Sequence, residues 1–192
     1  MPTRAIFFDR DGTLNVDVDY LCAPEKFVWT EGAVAAIRWA NAHGYLVIVV
    51  TNQSGVARGY YDEAAVLRLH DWMNAQLTKH GAHIDAFYYC PHHPEAAVPA
   101  YRQCCDCRKP APGMILRAIA AHGIDPAASF LFGDGARDVA AAEAAGVRGV
   151  RYTGGSLLDC VRGAVESSIT NGNEHEADTE EFCKNQRGGD PF

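Results

Sequence analysis

Cysteine and histidine are concentrated in two short stretches of this sequence, CPHHP at 90–94 and CCDCRKP at 104–110. Zinc prefers thiolate and imidazole ligands, and four such ligands leave no coordination position open for a reactant. The spacing therefore predicts a closed, structural zinc site. The four predicted ligands are Cys90, His92, Cys105 and Cys107. Pairing of Cys107 with Cys104 would give the commoner Cys-X₂-Cys spacing, so spacing alone leaves both Cys104 and Cys105 as candidates.

A second set of residues, rich in carboxylates, follows the ends of apolar segments. Asp9 and Asp11 are two residues apart in DRDGT, so in an extended chain their side chains point the same way. Neighbouring carboxylates resist double ionisation unless a cation lies between them, and Mg²⁺, with Asp134 as a third ligand, would suit these oxygens. Thr51 and Lys109 could hold a phosphate oxygen. Together these groups predict phosphoryl transfer, in which a carboxylate can be the nucleophile.

The elements that must position these residues alternate between strand and helix along the chain. The predicted strands are 5–8, 45–55, 84–90, 129–135 and 147–155. The predicted helices are 32–44, 62–81, 112–123 and 136–146. This alternation predicts an α/β fold, a three-layer Rossmann-like parallel sheet with helices on both faces. Because sites in such sheets form beyond the carboxyl ends of the strands, the polar motifs DRDGT, TNQSG and GDGARD are predicted to form one site.

Length and composition indicate one globular domain, because 192 residues of which 48% are hydrophobic can bury a sizeable core. We assign residues 1–166 to this domain and residues 167–192 to an acidic, weakly ordered tail. The net charge of −7 disfavours nucleic acids and anionic membranes as partners. We expect a monomer that acts on a small molecule.

The N-terminus and the apolar runs predict a cytoplasmic location. No long apolar stretch typical of a signal peptide follows Met1, and no run approaches the roughly 20 residues of a membrane span. In a reducing compartment the seven cysteines would not form a disulfide scaffold. This favours metal binding by the clustered cysteines.

Four motifs occur in order along the chain: FFDRDGT, VVTN, CRKP and FGDGARD. With them the chain resembles the haloacid-dehalogenase-like (HAD) phosphatases. The longer stretches DRDGTLNVDVDYL, TNQSGVARGYY and CPHHPEAAVPAYRQCCDCRKPAPGM are similar to the heptose-bisphosphate phosphatases of that superfamily, and the resemblance covers residues 5–150. Many HAD phosphatases carry a cap domain, but the segments after Asp11 and Lys109 are too short for one. We therefore expect a capless HAD-like fold with a zinc-binding loop and an open site.

The resemblance implies a role for each residue that matches a motif. Asp9 would attack phosphorus, whereas Asp11 would act as general acid and then base and bind Mg²⁺ through its backbone carbonyl. Asp134 would be the remaining Mg²⁺ ligand, and Asp138 matches the second acid of the same motif. Among the zinc ligands the resemblance favours Cys105. The predicted substrate- and phosphate-binding residues are Asp17, Asp19, Tyr20, Thr51, Asn52, Gln53, Ser54, Arg108 and Lys109.

The implied reaction is Mg²⁺-dependent removal of the primary (C7) phosphate of D-glycero-D-manno-heptose 1,7-bisphosphate through an aspartyl-phosphate, in the biosynthesis of nucleotide-activated heptose for the lipopolysaccharide core. Histidinol-phosphate phosphatases have a similar zinc loop, but the stretch between their ligand arms is shorter than PEAAVPAYRQC here. Another small sugar-phosphate phosphatase and an inactive, zinc-stabilised binding scaffold are further alternatives. One residue departs from the family pattern, because Gly135 stands where these enzymes usually have a lysine that contacts substrate.

Overall fold

A computed structural model of the chain describes residues 2–168. Within these residues five parallel strands form one sheet, in the order β3-β2-β1-β4-β5. The strands are β1 (Arg4–Phe8), β2 (Tyr45–Asn52), β3 (Ala86–Cys90), β4 (Phe130–Gly133) and β5 (Arg148–Arg151). The chain therefore builds the sheet outward from β1, first to one side and then, after β3, to the other.

Helices connect the strands, and two of them have ends that the sequence predicted. The helices are α1 (Ala33–Ala42), α2 (Ser54–Arg58), α3 (Glu63–Thr78), α4 (Gly113–His122), α5 (Ala136–Ala144) and α6 (157–168). Asp62 caps α3, because its side chain accepts a hydrogen bond from the backbone N–H of Ala65 at 2.8 Å. Gly123 ends α4 in the left-handed conformation that glycine adopts without steric cost.

Alternate residues of the strands enter two apolar cores, one on each face of the sheet. In β1, Ile6 and Phe8 face the core under α1, α3 and α6, whereas Ala5 and Phe7 face the core under α4 and α5. Because both faces are covered, the central strands are apolar on both sides. The three-layer parallel α/β fold predicted from the sequence is confirmed.

Two helices lie outside the predicted ones. α2 has five residues, too few to show a period. α6 buries Leu157, Val161 and Val165 at intervals of four, a helical spacing that the sequence contained but that adjoins the predicted tail. Residues 167–168 of that tail lie in α6. Residues 169–192 lie outside the described part of the chain, so their predicted weak order stays a prediction.

Between residues 2 and 168 no further domain is inserted into the sheet. One 3₁₀ turn (Pro24–Lys26) lies between β1 and α1, and α4 alone lies between Lys109 and β4. The expected absence of a cap is thus met over the described range. The crossover from β3 to β4 makes the carboxyl ends of β1 and β4 flank a topological switch point, where sites form in such sheets. No described helix is both long and apolar enough to cross a membrane.

Candidate active site and metal clusters

The polar residues that follow β1 and β4 meet at the carboxyl edge of the sheet. Phe8, the last residue of β1, pairs with Val49 of β2 and with Phe132 of β4. Asp9 follows β1, and Asp134 follows β4. Sheet hydrogen bonding thereby brings together acids that are more than a hundred residues apart in sequence.

Lys109 is the centre of the polar contacts at this edge and is only 2% exposed. An ammonium group has three donors. Here the ammonium donates to the backbone carbonyl of Val50 at 2.7 Å and forms ion pairs with Asp9 Oδ1 at 2.9 Å and Asp138 Oδ1 at 2.6 Å. Asn52 fixes the lysine backbone, since its amide accepts from the Lys109 N–H at 3.0 Å and donates to the Lys109 carbonyl at 3.1 Å. The positive charge is therefore held in place between two carboxylates.

The Asp9 carboxylate is buried, and both of its contacts go to one oxygen. Besides Lys109, the backbone N–H of Arg10 donates to Oδ1 at 2.7 Å, and no described residue donates to Oδ2. Burial, the largest effect, raises the pKa of Asp9 to about 6, with a smaller contribution from Asp138 and with Lys109 opposing both. Oδ2 is thus the oxygen that is left to react or to bind a cation.

Asp9, Asp134 and Asp138 form what we term the carboxylate cluster, in which one oxygen from each residue lies within 4.8 Å of the others. Asp134 Oδ1 is buried, and no described residue donates a hydrogen bond to it. Burial and the Asp138 carboxylate raise the pKa of Asp134. A small divalent cation fits this set, because oxygen ligands suit Mg²⁺ and a cation offsets repulsion among carboxylates.

Gly12 allows the turn after β1 to approach this cluster closely. Its φ is +80°, in the left-handed region that glycine adopts most readily. A Cβ at this position would lie 2.5 Å from Asp134 Oδ2. A side chain at position 12 would therefore displace one of the carboxylates that face the cation site.

The side chain of Asp11 lies outside the carboxylate cluster, because other donors hold it. The buried guanidinium of Arg10 contacts Asp11 Oδ2 at 2.9 Å and Oδ1 at 3.1 Å. Gln53 donates to Oδ2 at 2.9 Å, and Asn15 donates to Oδ1 at 3.1 Å. The acid grouped with Asp9 is therefore Asp138 and not the Asp11 carboxylate that the DxD spacing suggested. Binding of Mg²⁺ by the Asp11 backbone carbonyl stays a prediction.

An open cavity of about 220 Å³ is lined by Asp11. Seven residues predicted to bind substrate also line it: Asp17, Asp19, Tyr20, Asn52, Gln53, Ser54 and Arg108. Asp19 and Tyr20 have φ angles of 47° and 54°, a backbone conformation that is costly for residues with a Cβ. Asp17 stabilises the turn by accepting from the Asp19 N–H at 3.1 Å. The strained turn therefore presents acidic and phenolic groups to the cavity.

Four side chains form what we term the thiol cluster: Cys90, His92, Cys105 and Cys107. Its sulfur atoms are 3.1 to 3.5 Å apart, too far for disulfide bonds of about 2.05 Å. The His92 Nδ1 lies 3.4 Å from the Cys107 sulfur. Cys104 is exposed and lies outside the cluster. Three sulfurs and one imidazole nitrogen that converge in this way fit a tetrahedral zinc ion.

The thiol cluster directly precedes Lys109 along the chain. Cys107 is followed by Arg108 and Lys109. The Arg108 side chain also donates to the backbone carbonyl of His92 at 3.3 Å. A metal held by the cluster would therefore fix both the backbone and the side chain of Arg108 at the cavity.

Comparison with known proteins identifies the family. The HAD-hydrolase-like family matches residues 106–167. A D-glycero-beta-D-manno-heptose-1,7-bisphosphate 7-phosphatase of Rhodopseudomonas palustris is 49% identical over 150 residues, which cover 78% of this chain and 83% of the relative. The enzyme of the same name from Escherichia coli K12 is 48% identical over 143 residues, which cover 74% and 75%. The chain belongs to the heptose-bisphosphate phosphatases of the HAD superfamily.

Solved structures agree with this assignment. A HAD-like phosphatase from Mesorhizobium loti has a TM-score of 0.76 at 32% identity and covers 86% of this chain and 87% of its own. The D,D-heptose 1,7-bisphosphate phosphatase from B. bronchiseptica, complexed with magnesium and phosphate, has a TM-score of 0.70 at 33% identity and covers 83% and 86%. This member of the family is thus a HAD-type phosphatase, a phosphoric monoester hydrolase with the expected HAD-like fold.

Gln53, which the sequence predicted as a phosphate-binding residue, uses all four hydrogen-bonding positions of its amide within this phosphatase. It accepts from Arg10 at 3.2 Å and from Tyr61 at 2.8 Å. It donates to Asp11 at 2.9 Å and to Thr51 at 3.0 Å. Its observed contacts orient Asp11, and contact with phosphate stays a prediction.

Three residues at the site of this phosphatase lie outside the predicted set. The sequence places Arg10 between two acids directly after a buried strand, which is a signal that could have indicated a role at the site. Its contact with Asp11 is shown only by the structure. Tyr61 and Arg137 reach the cavity from the segment before α3 and from α5. Both lie in motif stretches, TNQSGVARGYY and FGDGARD, but their residue types did not mark them as site residues. Sequence reasoning missed them because only the fold brings them to the cavity.

Proposed function

We propose that this phosphatase removes the C7 phosphate of D-glycero-D-manno-heptose 1,7-bisphosphate, in the cytoplasm, on the route to nucleotide-activated heptose for the lipopolysaccharide core. The observation that carries the proposal is the ion pair of Asp9 with Lys109 at the edge of an open cavity. Asp11 and Arg108 line that cavity. The names of the relatives from Rhodopseudomonas palustris and Escherichia coli give the same substrate as the β form.

Asp9 and Asp134 would hold Mg²⁺, with the Asp11 backbone carbonyl as a further ligand. The bound ion would neutralise charge on the phosphoryl oxygens. Asp138 has a different task, because its Oδ1 pairs with Lys109 and its Oδ2 accepts from the Gly135 N–H at 2.9 Å. It therefore fixes the lysine and the turn that follows Asp134. The relative from B. bronchiseptica is complexed with magnesium and phosphate, which supports a magnesium site in this chain.

In the first half of the reaction, Oδ2 of Asp9 attacks the phosphorus of the C7 phosphate, and the bond from phosphorus to the C7 oxygen breaks. Lys109 holds Oδ1 and so fixes the direction of the attacking oxygen. Asp11 gives its proton to the departing C7 oxygen, and Arg10 and Gln53 keep it oriented for this transfer. The products are an aspartyl-phosphate and the free C7 hydroxyl.

In the second half, Asp11 is a carboxylate and takes a proton from a water molecule. The water oxygen attacks the phosphorus, and the bond from phosphorus to Asp9 Oδ2 breaks. Inorganic phosphate leaves, Asp9 returns to its carboxylate form, and Asp11 is protonated again, now by the proton taken from the water. The Arg10 guanidinium stabilises the charged form of Asp11 during this step.

Zinc in the thiol cluster would be structural. Its four protein ligands would fill a tetrahedral shell, so no position is open for substrate or water. The nucleophile and the proton donor come from the turn after β1 instead. The task of the zinc site would be to hold the loop that carries Arg108 and Lys109.

Selectivity has to come from the walls of the cavity, because no described segment forms a cap. Arg108 would orient the bisphosphate through paired hydrogen bonds, which suit its planar guanidinium. Asp17, Asp19 and Tyr20 would contact sugar hydroxyls, and Thr51, Asn52 and Ser54 complete the predicted phosphate-binding set.

A phosphate-release screen in the presence of Mg²⁺ tests the proposal. The substrates are heptose 1,7-bisphosphate, its two monophosphates, other sugar bisphosphates, histidinol phosphate and a small aryl phosphate. We expect the highest kcat/KM for the heptose bisphosphate, with the 1-phosphate as product. A higher kcat/KM for histidinol phosphate or another sugar phosphate would replace the proposed substrate. Failure to release phosphate from every compound would favour the inactive scaffold.

A further inference from the structure

Arg137 lines the same cavity as Arg108 and comes from the first turn of α5. Its side chain is exposed. Among residues 2–168, no side chain or backbone group forms a hydrogen bond or ion pair with its guanidinium. The donors of Arg137 are therefore available to a ligand in the cavity.

Gly135 provides the space in which the Arg137 side chain lies. A Cβ at position 135 would be 3.4 Å from Cγ and 3.5 Å from Nε of Arg137. The backbone of Gly135 is extended, with φ of −100°, so the turn itself does not require glycine. Glycine at position 135 leaves room for Arg137, because a longer side chain there would compete with Arg137 for the same space.

The charges of the cavity lining indicate what Arg137 could bind. The lining contains three carboxylates and two guanidinium groups, those of Arg108 and Arg137. A sugar bisphosphate brings two phosphates, each with about −1.5 to −2 charges near pH 7. The Lys109 ammonium is already engaged within the protein, by ion pairs with Asp9 and Asp138 and by a hydrogen bond to the Val50 carbonyl. Arg108 gives one donor to the His92 carbonyl. Arg137 is the lining cation whose donors are uncommitted within the described residues.

We propose that Arg137 binds the phosphate that is not transferred, the one on C1, and thereby sets a preference for bisphosphates over monophosphates. The inference rests on the proposed function, because it assumes that the C7 phosphate is at Asp9. The planar guanidinium can hold a phosphate through two parallel hydrogen bonds. The Arg137 side chain lies beside Gly135, which has no side chain of its own to take up the space.

The test compares heptose 1,7-bisphosphate with heptose 7-phosphate, which lacks only the C1 phosphate. Arg137→Ala is expected to lower kcat/KM for the bisphosphate by about tenfold, the effect of one charge-assisted contact at an exposed site, and to lower it less for the monophosphate. Arg137→Lys should lose part of this preference, because it keeps the charge but not the fork. Arg38→Ala, which removes an exposed arginine from α1, is the matched control and should leave both values unchanged.

Moving the positive charge from position 137 to position 135 gives a result that a merely structural role of Arg137 would not produce. Gly135→Lys in the Arg137→Ala background should restore part of the preference for the bisphosphate. Its Cβ would lie 3.0 Å from Asp138 Oδ2, so the melting temperature and the rate on a small aryl phosphate are measured alongside. If the double variant melts at a lower temperature and hydrolyses the aryl phosphate more slowly, the role of Arg137 is judged from the bisphosphate preference of Arg137→Ala compared with that of Arg137→Lys. Neither of these two substitutions changes a buried contact.

The wild-type and variant measurements separate this inference from the proposed function. Wild-type enzyme that does not hydrolyse heptose 1,7-bisphosphate contradicts the proposed function. The bisphosphate-to-monophosphate ratio is then measured on a sugar pair that the enzyme does accept. Equal losses on both substrates in Arg137→Ala, no loss on either, or no preference in the wild type would each overturn the role proposed for Arg137.

Discussion

The carboxylate cluster and the thiol cluster differ in how the chain holds them. The acids follow β1 and β4, where sheet hydrogen bonds fix the backbone, and Lys109 bridges two of them. The thiols and the imidazole come from the end of β3 and from a loop that has only one short 3₁₀ turn, Pro99–Tyr101. Sheet hydrogen bonds hold the backbone beside the first cluster, whereas most of the second cluster lies in a loop outside the sheet.

This difference assigns the two clusters different tasks. Asp9 has one oxygen held and one to which no residue between 2 and 168 donates, as a reacting group requires. In the thiol cluster every member is a ligand atom close to the others, so a bound ion would be enclosed. The lysine needed at the first cluster is carried two residues beyond Cys107 of the second. A structural metal is thus expected to act on catalysis only through position.

The largest expected effect comes from Asp9→Asn. The substitution keeps the shape of the side chain but removes the attacking charge, so steady phosphate release should fall below detection. Zinc content, measured by elemental analysis, should be unchanged, because Asp9 has no part in the thiol cluster.

Asp11→Asn is the matched variant for this comparison. It removes the proton donor but leaves the nucleophile, so turnover of a sugar phosphate should fall by about 10²- to 10⁴-fold. An aryl phosphate, whose leaving group needs no proton, should still form some aspartyl-phosphate. Near-normal phosphate release by Asp9→Asn would rule out the covalent route.

The sequence predicts that Asp9 and Asp134 lie at one edge of the sheet, because each of them directly follows a buried strand. Parallel strands end at the same edge, so Asp9 and Asp134 have to meet there. It does not decide between Cys104 and Cys105, since their spacing to Cys107 says nothing about which side chain points inward. It also does not reveal Arg137, whose position depends on the space left by Gly135 and on the path of α5.

Removal of metals by mild chelation should separate the two clusters. Mg²⁺ bound by a few carboxylates and water exchanges readily, so a chelator should bring activity to background and added Mg²⁺ should restore it. Zinc enclosed by thiolates should remain bound, as elemental analysis before and after treatment would show. Loss of zinc in step with activity would contradict the division into a reactive and a structural cluster.

Cys107→Ser is expected to change kcat less than the substitutions of Asp9 and Asp11 do, and to act mainly on the loop that carries Arg108. Zinc should be lost, and KM for the bisphosphate should rise by roughly tenfold, because Arg108 loses its fixed position at the cavity. The kcat should change less than KM, since Asp9 and Asp11 are held by other elements. Kinetics on the bisphosphate and zinc content are the measurements.

Cys104→Ser is the matched control for this variant, because Cys104 is an exposed cysteine of the same loop outside the thiol cluster. It should keep zinc, KM and melting temperature at wild-type values. If Cys104→Ser lost zinc and Cys107→Ser or Cys105→Ser retained it, the ligand set would have to be redrawn.

The smallest expected effect tests whether the loop depends on zinc alone. Glu63, the first residue of α3, accepts hydrogen bonds from the Tyr89 hydroxyl at 2.6 Å and from the Tyr101 hydroxyl at 2.8 Å. Tyr89 precedes Cys90, and Tyr101 belongs to the loop between the two ligand arms. Glu63 therefore ties α3 to the loop by contacts that involve no metal.

Glu63→Ala should lower the free energy of unfolding by about 1 to 2 kcal/mol, since two partly exposed hydrogen bonds to a carboxylate are lost. For a chain of this size that corresponds to a fall in melting temperature of about 2 to 8 °C. Zinc content and kcat should stay at wild-type values if zinc dominates the position of the loop. Glu95→Ala removes an exposed glutamate of the same loop whose carboxylate accepts no hydrogen bond from the described residues, and it should leave the melting temperature unchanged. A loss of zinc in Glu63→Ala but not in Glu95→Ala would show that α3 positions the ligands, and the loop would then owe its order to the protein as much as to the metal.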